Sequence, residues 1–202
     1  MHIERAVLFG LRGFAALAVA LLFTSSVVAQ EESGLFYSVD AINSGLVQEP
    51  ADQVDRTAPR QTMRGFFEAT EAENFDLAAH YLNLSEIPPE QQSEIGPEIA
   101  RNLSSVLARQ VWVDWSDLSS RPDAMAEGPS DSNPRAGQPR RNILISTLET
   151  SASIYDIRIA RYKPPDSLAV WLFTPQSVDN VDALRDAFGP RPYEKWIPES
   201  LK

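Results

Sequence analysis

The feature that most constrains this chain is a change in hydrophobic periodicity near residue 111. Before that position, apolar residues recur at helical spacing in three successive segments. After it, apolar residues alternate with polar ones or form short runs rich in β-branched and aromatic side chains, which is typical of strands. Helices followed by strands in one chain predict an α+β fold in which the helices pack on a small sheet.

The helical part is predicted to begin at Thr57, because a threonine followed closely by Pro59 is typical of a helix start. A short second helix is predicted after Asn74, and a third from residue 88. Pro97 lies inside the third helix and is expected to kink or divide it. The apolar positions that define the three helices are Met63, Phe66, Phe67 and Thr70, then Phe75, Ala78, Ala79 and Leu82, then Ile95, Ile99, Leu103, Val106 and Leu107.

Four segments are predicted to be strands. Residues 111–115 alternate between apolar and other positions, and residues 142–149, 154–162 and 167–173 are short β-rich runs. The last three are joined by links of a few residues, which makes them antiparallel neighbours. The sequence therefore predicts an antiparallel sheet of three to four strands. A C-terminal helix follows from Thr174-Pro175 and ends at Gly189-Pro190.

The first 29 residues are typical of a secretory signal peptide. Arg5 and Arg12 precede an apolar core at 13–23, and small residues follow up to Ala29. The core is shorter than the roughly 20 residues that a transmembrane helix needs. We expect a cleaved signal peptide, with an uncleaved anchor as the alternative. An exported chain without cysteine fits the bacterial periplasm, and it has no disulfide partner.

The remaining irregular segments set the predicted domain boundaries. Residues 30–55 contain six acidic and no basic residues, which predicts an acidic linker with at most a short helix around 37–47. Residues 121–142 are rich in Pro, Gly, Ser, Asp and Arg and are predicted to form a flexible loop. A single α+β domain is expected over residues 56–202.

Composition excludes several classes of function. The net charge of −10 disfavours binding to nucleic acid, and the basic cluster of Arg135, Arg140 and Arg141 is confined to the predicted loop. With no cysteine and with His2 beside the initiator methionine, only His80 is left for histidine chemistry. We predict no catalytic, cofactor-binding or metal-binding residues and therefore a protein that is not an enzyme. His80 itself is expected to be a surface or half-buried histidine.

Aromatic residues supply the candidate contact sites. Trp112, Trp115 and Trp171 fall in predicted strands and are expected in the core, because strand aromatics usually pack. The tail after the last helix is different, because it is rich in proline and carries Tyr193, Trp196 and Ile197. These three residues are candidates for docking to a partner or for a position close to a membrane.

Several segments, taken in order, carry a resemblance to a known family. They are residues 56–60 (RTAPR), 63–69 (MRGFFEA), 71–84 (EAENFDLAAHYLNL), 87–91 (IPPEQ) and 96–103 (GPEIARNL). Together they resemble the N-terminal extramembrane region of bacterial mechanosensitive ion channels of the small-conductance (MscS) type. The likeness continues through 111–118, 170–181 and the closing segment around 189–198. It covers most of the part predicted to fold.

The resemblance implies a periplasmic module of a channel that transports ions across the inner membrane, with a role in positioning, gating or assembly. The implied partners are the channel's membrane domain, in the same chain or a separate one, and a second copy of this chain. The sequence departs from the family because no pore-lining helix is present up to Lys202. We expect either a piece of such a channel or a stand-alone relative, associated with the inner membrane if it is part of the channel.

A broader likeness links the helix with FFEA, the segment NFDLAA and the later strands to cone-shaped α+β folds of the NTF2-like type. Such folds include enzymes, ligand binders and interaction modules, so this likeness does not select a function. The alternative hypothesis is a stand-alone periplasmic NTF2-like protein that binds a ligand or a partner. Its pocket would lie between the sheet and Phe66, Phe67 and Trp171.

Overall fold

The computed structural model of the chain describes residues 34–47, 53–125 and 137–190. From Phe36 onward these residues belong to one structural unit. It contains four strands and five helices in the order β1, α1, α2, α3, β2, β3, β4, α4, α5. The predicted signal peptide, the tail residues Tyr193, Trp196 and Ile197, and parts of the predicted linker and loop lie outside the described residues.

Three helices form where the periodicity predicts them. They are α1 (Pro59–Glu71), α2 (Phe75–Ala79) and α3 (Pro89–Gln110). Asn74 caps α2 as expected, because its side chain accepts a hydrogen bond from the Leu77 N–H. Thr57 does not cap α1; its N–H and hydroxyl instead donate to the Asp55 carboxylate. Helix α3 continues through Pro97 as one helix and is not divided there.

The centre of the sheet is an antiparallel arrangement of β2 (Asn142–Glu149), β3 (Ile154–Lys163) and β4 (Val170–Phe173). Strand β3 pairs with β2 over most of its length, and a bulge interrupts the register between Leu144 and Ser146. On its other side β3 pairs with β4, where Ile159 lies opposite Phe173. These strands agree with the predicted segments.

The fourth strand corrects two predictions. Strand β1 (Tyr37–Ser38) pairs with β3 in parallel, so the sheet is mixed rather than wholly antiparallel. It also lies within the predicted linker, where a short helix was expected around 37–47. The segment after it is fixed to the helices because the buried Asn43 side chain donates to the Leu82 carbonyl and accepts from the Leu84 N–H.

The predicted strand at 111–115 does not form. Val111 ends α3 with an extended backbone, and the segment that follows pairs with none of the four strands among the described residues. The alternation in this segment has another cause. Val111 and Val113 are partly buried against the core, while Trp112 between them points away from it.

The predicted C-terminal helix is divided into α4 (Pro175–Asp179) and α5 (Val181–Phe188), which meet at Asn180. Thr174 caps α4 as predicted, because its hydroxyl accepts a hydrogen bond from the Ser177 N–H. Gly189 follows the last residue of α5.

The main core lies between the helices and one face of the sheet. The described structure is therefore an α+β fold, in which helices precede a small mixed sheet of four strands and further helices follow it. Most of the fully buried large side chains come from α1, α3, the sheet and the residues just after α2; they include Phe66, Met63, Tyr81, Leu82, Leu84, Leu103, Leu107, Ile157, Ile159, Trp171 and Phe173.

Candidate functional site

The predicted pocket residues do not all have the exposure that a ligand would need. Phe66 and Trp171 are completely buried, and only Phe67 is partly accessible. The Phe66 ring packs edge-on against Phe173, with 5.0 Å between ring centroids. A ligand placed between Phe66 and Trp171 would therefore have to displace core side chains.

Trp171 is held by hydrogen bonds as well as by packing. Its indole N–H donates to the Pro122 carbonyl at 2.9 Å, and its backbone N–H donates to the Arg56 carbonyl at 2.8 Å. Its own carbonyl accepts a bond from the Thr62 hydroxyl. With its polar groups satisfied inside the protein, this tryptophan is a structural residue, as predicted for the core.

The other two predicted core tryptophans are exposed, and this prediction was wrong. The side chain of Trp112 is 94% exposed and that of Trp115 is 41% exposed. Trp115 lies edge-on to Phe67 of α1, with 6.1 Å between the ring centroids. We call Trp115, Phe67 and the exposed Trp112, which lies three residues before Trp115 in the same loop, the aromatic patch.

Arg60 of α1 fixes the loop that carries the aromatic patch. Its guanidinium donates to the Trp115 carbonyl and to the Leu118 carbonyl, each at 2.8 Å. Its backbone N–H also donates to the Ser119 carbonyl. These contacts hold Trp115 beside α1, so at least this part of the aromatic patch is preorganised.

The turn within the patch loop is stabilised by Asp114. The carboxylate accepts hydrogen bonds from the Ser116 hydroxyl at 2.6 Å and from the Ser116 N–H at 2.9 Å. These bonds, with the one from the hydroxyl dominant, lower the pKa of Asp114 below its usual value. The ionised carboxylate holds the turn at residues 114–117, which carries Trp115.

A row of aromatic rings links the patch to the core. Trp115 contacts Phe67, Phe67 lies 6.0 Å from Phe66, and Phe66 contacts Phe173 of β4. Aromatic pairs of this edge-on kind are favourable by about 0.5–1.5 kcal/mol beyond the area they bury. The exposed end of this row is therefore supported by the rigid part of the molecule.

Sequence reasoning missed the aromatic patch because alternation does not say which side of a segment faces the core. The available signal was the type of residue on each side. Val111 and Val113 are aliphatic and pack, partly buried, against the core, and the tryptophans are the residues that fit a surface contact. The tail candidates Tyr193, Trp196 and Ile197 lie outside the described residues.

The described residues include titratable side chains that could take part in chemistry. Within them there is no cluster of three or more His, Asp or Glu side chains that could hold a metal ion. His80 is buried, at 8% exposed, and not at the surface or half-buried as expected. The residue has a partner, and its backbone carbonyl accepts a hydrogen bond from Arg56 at 2.9 Å. Burial raises the pKa of Tyr81 and raises the pKa of Tyr162 to about 12, so both phenols stay neutral at physiological pH.

A surface cleft lies where α3 approaches the end of α5. It encloses about 420 Å³ and is lined by Arg101, Asn102, Ser105, Arg185, Asp186, Gly189 and Pro190. Arg185 and Asp186 form an ion pair at 3.0 Å beside it. The cleft is distinct from the pocket predicted at Phe66, Phe67 and Trp171.

Comparisons with known proteins add no relative. No protein-family model matches the chain, and no significant match was found among curated proteins or solved structures. In the parts of the chain that the structure describes, no helix combines the length and apolar character that a bilayer crossing requires.

Proposed function

We propose that this chain is a non-enzymatic periplasmic module of an MscS-type mechanosensitive channel, which contacts the channel and affects its positioning, gating or assembly. The family in this proposal comes from the resemblance carried by the ordered segments between residues 56 and 103. The aromatic patch is the single observation that carries the proposed mode of action. It combines two exposed tryptophans of one loop with the adjoining Phe67 ring, and Arg60 holds the Trp115 end of that loop.

The segments that carry the family resemblance also contact one another. Arg56 bonds to the His80 carbonyl and, through its own carbonyl, to Trp171. Gly65 lies directly against Tyr81. Residues from several of these segments therefore cooperate in one packed unit, which is what a self-contained channel module requires.

The aromatic patch has the chemistry of a protein contact. Tryptophan is among the residues enriched at binding hot spots, and an indole that is almost fully exposed contributes little to the stability of the free protein. Because Arg60 already holds Trp115 in place, a partner would pay little conformational entropy on binding. We propose that the channel's membrane domain, or a segment next to it, covers Trp112.

The proposal predicts a mechanical phenotype. In the natural host, the coding region for residues 56–202 is deleted, and it is restored either as the parent or as the double variant Trp112→Ala/Trp115→Ala. The tension that opens the MscS-type channel is then measured in excised membrane patches. We expect the deletion and the double variant to shift the opening tension in the same direction.

Leu168→Ala is the matched control, because Leu168 is 85% exposed and does not belong to the aromatic patch. It should behave like the parent chain. An opening tension that is unchanged by the deletion would overturn the proposed role in gating, and survival after hypo-osmotic shock, measured in the same strains, would extend that result to intact cells.

A second candidate is a stand-alone periplasmic protein of NTF2-like shape that binds a ligand or partner. The cleft between α3 and α5 favours it, because Arg101, Ser105 and Arg185 could donate hydrogen bonds to an anionic ligand. Thermal-shift measurements with anionic envelope metabolites test this candidate. A rise in melting temperature that Arg185→Ala abolishes would support it, and a flat response to all ligands would count against it.

A further inference from the structure

The outer edge of β2 ends the sheet. Among the described residues β2 pairs with β3 and with no other strand. It is eight residues long, and its sequence NILISTLE has no charged side chain before Glu149. Natural proteins usually protect such an edge with lysine, proline or a covering segment, because its free N–H and C=O groups can accept another strand.

The neighbouring strand shows which backbone groups of β2 face outward. Arg158 of β3 directs its own N–H to the Ser177 hydroxyl and its carbonyl to the Thr174 N–H, on the side away from β2. Leu144 is the register partner of Arg158. In an antiparallel pair of this type both residues turn their backbone groups away from each other, so the N–H and C=O of Leu144 point to the open edge.

The same alternation applies on the other side of the bulge. Asp156 lies two residues before Arg158 and pairs with Thr147, so Thr147 also turns its backbone groups outward. Both Leu144 and Thr147 have exposed side chains, and the residues beyond them, Ile143 and Leu148, are both buried. Because of the bulge, the order of buried and exposed residues from Ile143 to Leu148 is the same in both directions.

We propose that β2 pairs in antiparallel fashion with β2 of a second copy of this chain, with Leu144 opposite Thr147 of the second copy. In this register Ile143 lies opposite Leu148 of the second copy on the core side of the sheet. Four outward-facing N–H and C=O pairs then meet across the two-fold axis, and the two sheets become continuous.

Charge favours a second copy in this orientation. Strand β2 follows Arg140 and Arg141 and ends at Glu149. Antiparallel pairing brings the basic start of one strand to the acidic end of the other, whereas parallel pairing would place like charges together. This charge complementarity acts between the two ends of the paired strands and does not require a direct ion pair. This inference does not rest on the proposed channel function.

The first test measures mass. The full chain, expressed with its own N-terminal segment, is examined by light scattering over a series of concentrations, together with Leu144→Lys/Thr147→Lys. The parent should have twice the monomer mass. The double variant should be monomeric at the same concentrations, because two pairs of lysines would face each other across the axis. Leu168→Lys, which adds a lysine at another exposed leucine, should remain dimeric.

The second test measures the register and uses the absence of cysteine from the chain. Directly opposite residues have Cα atoms about 5.5 Å apart, within the range of a disulfide. Leu144→Cys chains mixed with Thr147→Cys chains should form a disulfide-linked pair on mild oxidation. Leu144→Cys chains alone should not, because the two copies of residue 144 would be about 10 Å apart.

Each outcome decides the proposal. A dimer that the lysines abolish, together with the mixed disulfide, supports it, and circular dichroism of the lysine variant shows whether its fold is retained. A parent chain that is monomeric at every concentration would overturn it. So would a dimer that persists in the folded lysine variant, or Leu144→Cys chains that cross-link to themselves as readily as to Thr147→Cys chains.

Discussion

Gly65 lies against Tyr81 so closely that a Cβ atom on residue 65 would be 2.2 Å from the tyrosine hydroxyl oxygen. Tyr81 is 2% exposed, so its ring has little space into which it could move. The contact brings α1 next to the residues that follow α2. It joins two of the segments on which the family resemblance rests.

We predict that Gly65→Ala destabilises the protein, although alanine is the better helix former by about 1 kcal/mol in a free helix. The added methyl group would force the buried tyrosine to shift, at a cost of typically 1–3 kcal/mol. Urea unfolding measures the change. Arg64→Ala, at the exposed neighbouring position of α1, should alter the unfolding free energy by less than about 0.5 kcal/mol.

The segment at 36–47 is predicted to be an integral part of the fold, held by Asn43. Asn43 has a φ of 48°, which asparagine tolerates, and Asn43→Gly keeps this backbone conformation while removing two buried hydrogen bonds. We expect a loss of about 2–4 kcal/mol, because the Leu82 carbonyl and the Leu84 N–H lose their side-chain partner.

Limited proteolysis measures the same effect locally. Cleavage within 36–47 should be slow in the parent chain and clearly faster in Asn43→Gly, whereas Asn43→Asp, which keeps an acceptor for the Leu84 N–H, should lie between the two. Rapid cleavage of the parent at this segment would restore the linker interpretation.

Alkaline pH should destabilise the fold through Tyr162. Burial raises the pKa of Tyr162 to about 12, and the pKa in the unfolded chain is 10.0. The neutral phenol therefore stabilises the fold fully below pH 10, and this stabilisation is lost as the pH rises through about 12. Tyr162→Phe should weaken the pH dependence of the unfolding free energy. Some dependence should persist, because burial also raises the pKa of Tyr81.

The sequence predicted those helices and strands whose own residues show a clear hydrophobic periodicity. The helices α1 to α3 and the strands β2 to β4 have strong periodicity, and their positions were predicted closely. Strand β1 was not, because it is two residues long and depends on distant parts of the chain: it pairs in parallel with β3, and Asn43 just after it bonds to Leu82 and Leu84. Gly45 also depends on a distant part of the chain, since a Cβ there would clash with the Pro89 carbonyl.

The site was harder to predict than the fold. The sequence shows the alternation at 111–115, but its orientation depends on which side chains pack against the core, and these are the two valines. The prediction of a pocket at Phe66, Phe67 and Trp171 assumed that these rings are accessible to a ligand, but Phe66 and Trp171 are buried in the core. Burial is a property of the packed structure, and the type of residue alone does not give it.

Arg60 is predicted to control the aromatic patch. Arg60→Ala removes both side-chain hydrogen bonds to the patch loop, and Arg60→Lys cannot reproduce the paired donors of a guanidinium. Hydrogen exchange in a peptide covering 111–119 should be faster in both variants, and Arg60→Ala should lower the unfolding free energy by about 1–3 kcal/mol. Unchanged exchange in this peptide would show that the loop is held by other contacts.

The central claim is that the aromatic patch contacts an MscS-type channel in the envelope. The most direct measurement places a photo-reactive phenylalanine analogue at position 112 of the chain in its natural host, with the same analogue at position 168 as the control. After irradiation of intact cells, we predict that position 112 is cross-linked to the membrane domain of an MscS-type channel and that position 168 is not. Cross-linking of position 112 only to proteins unrelated to such channels, or no cross-link at all, would contradict the proposal.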